Sequence, residues 1–271
     1  MPDCRLERAS EHVWRFTPDE RTDRPALAAV AGDDSTVLLD VGASVAHTAS
    51  FLEALAPIGL PPLRLAVLTH WHWDHAFGGA ALDVPIAAHR ITADELAREA
   101  AYDWSDAALA RRVETGAELA FCAEMIALEL PDRSDLRIVE PQIVFDDEGL
   151  ELRLGGVTCE VRLVGGDHAA DSCVIHVLED GLVFLGDCLS HRLHAPVPHR
   201  TVSRTRESVE LVGAYRAEVA ILGHHPPLLD RAGLTVELGL LTSALERVEQ
   251  LGAGALETAA SEDDREELEL L

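Results

Sequence analysis

Three histidines and an aspartate fall within the six residues His70–His75, in the stretch LTHWHWDHAFGG that runs from Leu68 to Gly79. Imidazole nitrogen and carboxylate oxygen are the donors that zinc takes where thiolates are absent. His70 and His72 stand two residues apart, so in an extended segment they point to the same side. Asp74 and His75 face a second position if the chain turns there. A helix starting at Asp74 makes that turn, since aspartate suits the first helical turn. Three more candidates lie downstream: His168 in VGGDHAADS, Asp187 in VFLGDC and His224 in AILGHHPP. Each follows an apolar run and a glycine, which lets the chain turn sharply and leaves room beside an ion. Taken singly, each has a plainer reading, as a capping or surface histidine or, for Asp187, a helix N-cap. Together they repeat one local setting, and that points to metal chemistry.

The elements that must position these groups can be read from periodicity. HVWRF (His12 to Phe16), ALAAVAG (Ala26 to Gly32) and STVLLDVG (Ser35 to Gly42) alternate or run apolar between Asp, Pro and Gly turns, as strands do. HTASFLEALAPIG (His47 to Gly59) reads as a helix. LRLAVLTH (Leu63 to His70) reads as a buried strand that delivers His70, and PIAAHR as another. From about Thr92 to Leu130 the apolar spacing turns helical. Strands return at QIVFDD, LELRL, TCEVRLVGG, SCVIHVL, LVFLGD and EVAILGHH. An amphipathic helix follows from Leu234 to Leu251, with Leu241, Leu245 and Val248 on one stripe, and SEDDREELELL closes the chain as an acidic end.

Composition narrows the function classes. The 271 residues suit one domain with a sizeable core. The net charge is -26, and all 22 basic residues are arginine. So acidic a surface repels phosphate backbones, which argues against a nucleic-acid partner. No apolar run reaches the roughly 18 residues needed to cross a bilayer. The N-terminal MPDCRLERASEH lacks the layout of a secretory leader, so a soluble cytoplasmic protein without a membrane partner is expected. The five scattered cysteines, with no CxxC pair, are expected to be reduced.

THWHWDHAFGG, GGDHAADS, FLGDC and LGHH together resemble the successive metal motifs of the metallo-β-lactamase superfamily, and LLDVG at Leu38–Gly42 is similar to its early strand ending in Asp-Gly. Order and spacing match from about residue 12 to 228. The resemblance implies an α/β fold, the four-layer αββα sandwich, as a single domain over 1–271. Its core would span about 12–228, with a helical insertion at about 92–130 and a C-terminal helical segment at 232–271. It also implies two zinc ions per chain, with iron or manganese as alternatives. His70, His72 and His168 would hold one ion, Asp74, His75 and His224 the other, and Asp187 would bridge them. Aspartate at 187 together with His75 resembles the glyoxalase II and lactonase branches.

The implied reaction is hydrolysis of a small ester, thioester or lactone by a metal-bound hydroxide, coordination lowering the pKa of water from about 15.7 toward about 7. Asp74 would orient the hydroxide or relay a proton. No GxSxG motif occurs, and Cys188 has no evident base. Alternatives of other classes are a small phosphodiester hydrolase and a mononuclear iron enzyme similar to persulfide dioxygenases. The segment Leu189–Arg206 has no acidic residue. Its His191, Arg192 and Arg200 either bind an anionic part of a small-molecule substrate or belong to a solvated loop paired with surface acids. Trp71, Trp73, Tyr102 and Trp104 either line a pocket or pack in the core. His225 is a spare ligand, a proton shuttle or a surface residue, and Ser172 orients its loop. The apolar stripe of the C-terminal helix suits a homodimer contact or packing within the chain.

Overall fold

The computed structural model describes residues 4–195 and 197–271. Pro196, inside the arginine-bearing segment, lies outside the described residues. The first sheet takes its seven strands in chain order: β1 (Leu6–Arg8), β2 (Val13–Phe16), β3 (Leu27–Ala31), β4 (Thr36–Leu39), β5 (Leu63–Val67), β6 (Ile86–His89) and β7 (Ile143–Phe145). Pairs up to β3–β4 are antiparallel, and those from β4–β5 onward are parallel. Parallel neighbours need crossovers. These are α1 (Val45–Leu55), the single turn α2 (Trp73–Ala76), and the trio α3 (Arg90–Glu99), α4 (Asp106–Glu114) and α5 (Ala120–Glu129).

The second sheet holds β8 (Leu150–Arg153), β9 (Thr158–Leu163), β10 (Cys173–Val177), β11 (Leu182–Gly186), β12 (Val219–Leu222) and β13 (Leu229–Asp230), in the spatial order β13-β12-β11-β10-β9-β8. Only β11–β12 is parallel, and α6 (Val202–Ala214) crosses between them. The chain ends in α7 (Arg231–Leu251) and α8 (Glu262–Leu270).

Three apolar layers hold the sandwich together. Between the sheets, Val30, Val37, Leu39 and Val67 meet Val161, Cys173, Ile175 and Phe184. Outside the first sheet, Leu38 and Leu68 pack with Phe51 of α1, Leu96 of α3 and Ile126 of α5. Outside the second, Val183 and Leu185 pack with Val212 of α6 and Leu241 of α7. Strands β3, β4 and β11 are buried along their whole length, which is why they read as unbroken apolar runs. Each fully buried leucine or valine contributes about 1.5–3 kcal/mol. The expected αββα architecture is therefore the one observed.

Boundaries differ locally. The helix expected from His47 begins earlier, at Val45, where the Ser44 hydroxyl accepts from the His47 N–H. It ends in a tight turn at Ala56–Ile58 rather than running on as α-helix. The strand expected to reach His70 stops at Val67. The helical stretch is three short helices anchored to the core by Glu129, which accepts from Arg24 (2.7–3.0 Å) and Thr22 (2.7 Å). Helix α6 starts inside the segment expected to be a loop, so Arg204 and Arg206 lie on a helix. The C-terminal stripe is covered from within the chain: Leu241 is buried against the α6 layer, and Val248 packs with Ala244 and with Leu268 of α8.

Candidate metal centre

The loop after β5 carries His70 and His72, and α2 places Asp74 in its first turn and His75 in its last. The other three residues come from the second sheet: His168 from the β9–β10 loop, Asp187 directly after β11, and His224 two residues after β12. The donor atoms fall into two groups, each within 4.8 Å internally: His70, His72 and His168, and Asp74, His75, Asp187 and His224. All seven residues identified from spacing thus meet at one edge of the sandwich, where the two sheets end side by side.

One carboxylate oxygen reaches both groups. Asp187 Oδ2 lies 3.3 Å from His75 Nε2, 3.4 Å from His168 Nε2 and 3.4 Å from His224 Nε2. Asp74 Oδ2 stands 3.1 Å from His75 Nε2 and 3.0 Å from His224 Nε2. Two glycines make this approach sterically allowed. A Cβ on Gly223 would lie 2.1 Å from Asp187 Oδ1. Gly186 sits at φ 50 with its α-carbon against Thr69, where a Cβ would come within 2.8 Å of the Thr69 hydroxyl.

Burial divides the imidazoles into two electrostatic kinds. His70, His72 and His168 lose basicity chiefly through desolvation; neighbouring histidines deepen the loss at His70 and His72, while Asp187 and Asp74 oppose it at His168. Desolvation also opposes protonation of His75 and His224, but Asp187 and Asp74 beside both, and Asp40 beside His75, raise them well above the ordinary value. Burial works against ionisation of Asp74 too, yet His75 and His224 hold its carboxyl far below the usual range. The site therefore concentrates unshared nitrogen lone pairs in one group and anionic oxygen in the other. The ring nitrogens Nε2 of His70 and both nitrogens of His168 are buried with no hydrogen-bond partner. Such atoms are costly unless something coordinates them, and a pair of divalent cations fits the set.

Residues outside the motif aim the ligands. Asp40, fully buried at φ 58, accepts from His75 Nδ1 at 2.7 Å and from the Thr69 N–H at 2.7 Å. This fixes the tautomer with Nε2 turned to the site, as carboxylate partners of metal-bound histidines do. Asp23 Oδ1 lies 3.3 Å from His224 Nδ1. Asp171, buried, accepts from the Trp71 N–H (2.9 Å) and the Thr92 hydroxyl (2.7 Å), so it ties the ligand loop to α3. The fully buried Arg15 donates to the carbonyls of Pro226 (2.8 Å) and His225 (2.5 Å), just beyond His224. Sequence reasoning assigned no role to Asp40 or Arg15, although Asp40 stands in the middle of LLDVG and Arg15 shares the alternation of the buried Val13 in HVWRF. Nothing in sequence marks Asp23.

A pocket of about 220 Å³ opens on the centre, lined by Trp71, Trp73, Trp104 and Phe121 and by His191 and His194. Trp71, Trp73 and Trp104 thus line the pocket. The proposed substrate contacts separate here. His191 lines the pocket; Arg192 and Arg200 do not. Arg200 is buried with Glu267 (2.5 and 3.0 Å) and the Leu189 carbonyl (2.6 Å), and Arg192 is exposed. His225 turns away, its Nδ1 3.1 Å from the Pro227 carbonyl. Ser172 shapes its loop through the backbone, its carbonyl accepting from Val164 (2.8 Å) and Gly165 (2.9 Å), while the hydroxyl has no partner.

A family model described as the metallo-beta-lactamase superfamily matches residues 22–224. Among solved structures, a metallo-beta-lactamase from Pontibacter korlensis is 22% identical, with TM-score 0.60, covering 89% of this chain and 99% of that one. The DIM-1 metallo-beta-lactamase is 19% identical, with TM-score 0.61, covering 90% and 99%. A double mutant of the sec-alkyl sulfatase PisA1 is 16% identical, with TM-score 0.67, covering 97% of this chain and 46% of that one. These likenesses establish the fold. No curated protein matches the chain in sequence.

Proposed function

Because the chain belongs to the metallo-beta-lactamase superfamily, we propose that it is a dinuclear zinc hydrolase acting on a small carboxylic ester, thioester or lactone. The observation that carries this reading is Asp187 Oδ2, within 3.4 Å of nitrogens from both donor groups. A single-ion enzyme has no use for the complete second group of Asp74, His75 and His224. In this reading His70, His72 and His168 would hold one ion and Asp74, His75 and His224 the other, with Asp187 within reach of both. Bound divalent ions supply Lewis acidity at a substrate carbonyl and bring the pKa of water to about 7.

The chain's own groups do the rest. Asp74, whose carboxylate oxygen stands 3.0–3.1 Å from His75 and His224, would accept a hydrogen bond from the attacking water and orient it. Asp40 and Asp23 keep His75 and His224 turned inward. Trp71, Trp73, Trp104 and Phe121 take up the apolar part of an acyl substrate and exclude water from it. Among the described residues the pocket lining contains no arginine, which favours an uncharged substrate over an anionic one; His191 remains as a hydrogen-bonding contact in the lining.

The test is a panel of thioesters, lactones, carboxylic esters and phosphodiesters, run on the purified protein before and after chelation. Turnover of an acyl substrate that is lost with chelator and restored by zinc is the expected result. Turnover confined to phosphodiesters, or one iron per chain with oxygen consumption, would overturn the proposal.

A further inference from the structure

Beyond the seven His/Asp residues, a second kind of donor cluster stands at the pocket wall. A carboxylate oxygen of Glu118, Sγ of Cys122 and a ring nitrogen of His194 all lie within 4.8 Å of one another. They come from segments that the sheets do not join. Glu118 and Cys122 flank the start of α5 in the insertion, and His194 belongs to the segment after Asp187. All three line the pocket.

A buried cysteine on a helix is ordinarily core packing. Cys159, Cys173 and Cys188 conform, each sitting in an apolar cluster between or outside the sheets. Cys122 does not: it is buried yet belongs to none of the four apolar clusters. It faces the pocket with carboxylates around it. The same surroundings disfavour a nucleophilic thiolate, because burial first, then Glu118, Asp74 and Asp23, push the thiol well above its ordinary value. What these neighbours favour is a cation, on which the thiol would lose its proton.

We propose that Glu118, Cys122 and His194 form a third divalent-cation site, separate from the two donor groups around Asp187, that clamps the helical insertion to the segment following Asp187. One soft sulfur with one nitrogen and one oxygen selects a zinc-like ion over magnesium or calcium. Zinc bonds of about 2.0–2.3 Å in tetrahedral geometry set donors roughly 3.5 Å apart. The set closes with shifts on the order of an ångström in Glu118 and His194, both only half-buried. All three donors line the pocket, so a filled site would stand in its wall.

Cobalt distinguishes this site from the other two, because the seven His/Asp residues carry no sulfur. The purified full chain is titrated with Co²⁺ and followed by absorption and by bound metal per chain. The expected result is a near-ultraviolet sulfur-to-cobalt charge-transfer band alongside the visible ligand-field bands. In Cys122→Ser the charge-transfer band disappears and bound cobalt falls by one per chain, while the ligand-field bands of the His/Asp centre remain. His194→Ala, at a half-buried position, shifts the charge-transfer band to at least tenfold higher cobalt. Ligand-field bands without a charge-transfer band would overturn this site and leave the dinuclear centre standing. A charge-transfer band that survives in Cys122→Ser would overturn it too, by assigning the sulfur elsewhere. Absence of any cobalt spectrum would overturn both.

Discussion

Asp40→Asn tests how the centre is aimed without touching a proposed ligand. Asparagine suits the left-handed backbone of position 40 (φ 58), so the main chain has no reason to move. The loss is electronic. Asp40 accepts from the Thr69 N–H through Oδ1 and from His75 Nδ1 through Oδ2, both at 2.7 Å. An amide has one acceptor. If its oxygen stays with Thr69, its NH₂ confronts the N–H of His75. Relief comes when His75 moves its proton to Nε2, the atom 3.1 Å from Asp74 and 3.3 Å from Asp187. That proton blocks the nitrogen that would bind metal. Removing such an orienting partner typically costs 10–100-fold in metal affinity, about 1.4–2.7 kcal/mol. The weakening should fall on the Asp74/His75/His224 group and leave the His70/His72/His168 group within about threefold. Competition titration with a chromophoric chelator resolves the two. Equal weakening of both groups, or no change at either in a folded variant, would refute the argument.

Four further outcomes follow from the same geometry. Gly223→Ala drives a methyl to within 2.1 Å of Asp187 Oδ1; activity should fall at least 100-fold for an overpacking cost of about 1–3 kcal/mol, seen as a kcat collapse larger than the drop in Tm explains. Arg15→Met leaves the carbonyls of His225 and Pro226 without their buried donor, and urea unfolding should register a loss of about 2–4 kcal/mol; an unchanged midpoint contradicts this. Arg200→Ala should lower Tm by breaking the Glu267 and Leu189 bonds while leaving KM within about twofold; a large rise in KM returns Arg200 to the substrate. Glu99 is pushed up from 4.5 to about 8 by burial first and then by Glu118. Its folded pKa exceeds its unfolded one, so the folded state holds the extra proton in that window. Stability should therefore fall as pH rises from about 4.5 to about 8, by up to about 1.4 kcal/mol per unit, and Glu99→Gln should flatten that slope.

The ligand residues were legible for two reasons: His70, His72, Asp74 and His75 crowd into six residues after an apolar strand, and His168, Asp187 and His224 each follow an apolar run and a glycine. Strands β3, β4 and β11 were legible as apolar runs because they bury both faces, whereas their αββα arrangement came from the resemblance of the metal motifs. What could not be read depends on distant partners. Arg200 and Arg192 looked alike, being basic residues shortly after Asp187. Only the approach of Glu267, far along the chain on α8, turns Arg200 into a structural anchor. The start of α6 inside that segment was masked by its lack of a side-chain cap at Thr201. Asp23 meets His224 across the fold, with no spacing to announce it. Asp40 and Arg15 drew no notice in sequence because their burial and what they hold depend on the folded chain.

The central claim is that two ions share Asp187. Anomalous diffraction from crystals of the zinc-loaded protein at the zinc edge tests it most directly. Two peaks about 3.5–4 Å apart, one among His70, His72 and His168 and one among Asp74, His75 and His224, with Asp187 between them, are predicted. A single peak at this edge of the sandwich, or none within reach of Asp187, would contradict the account.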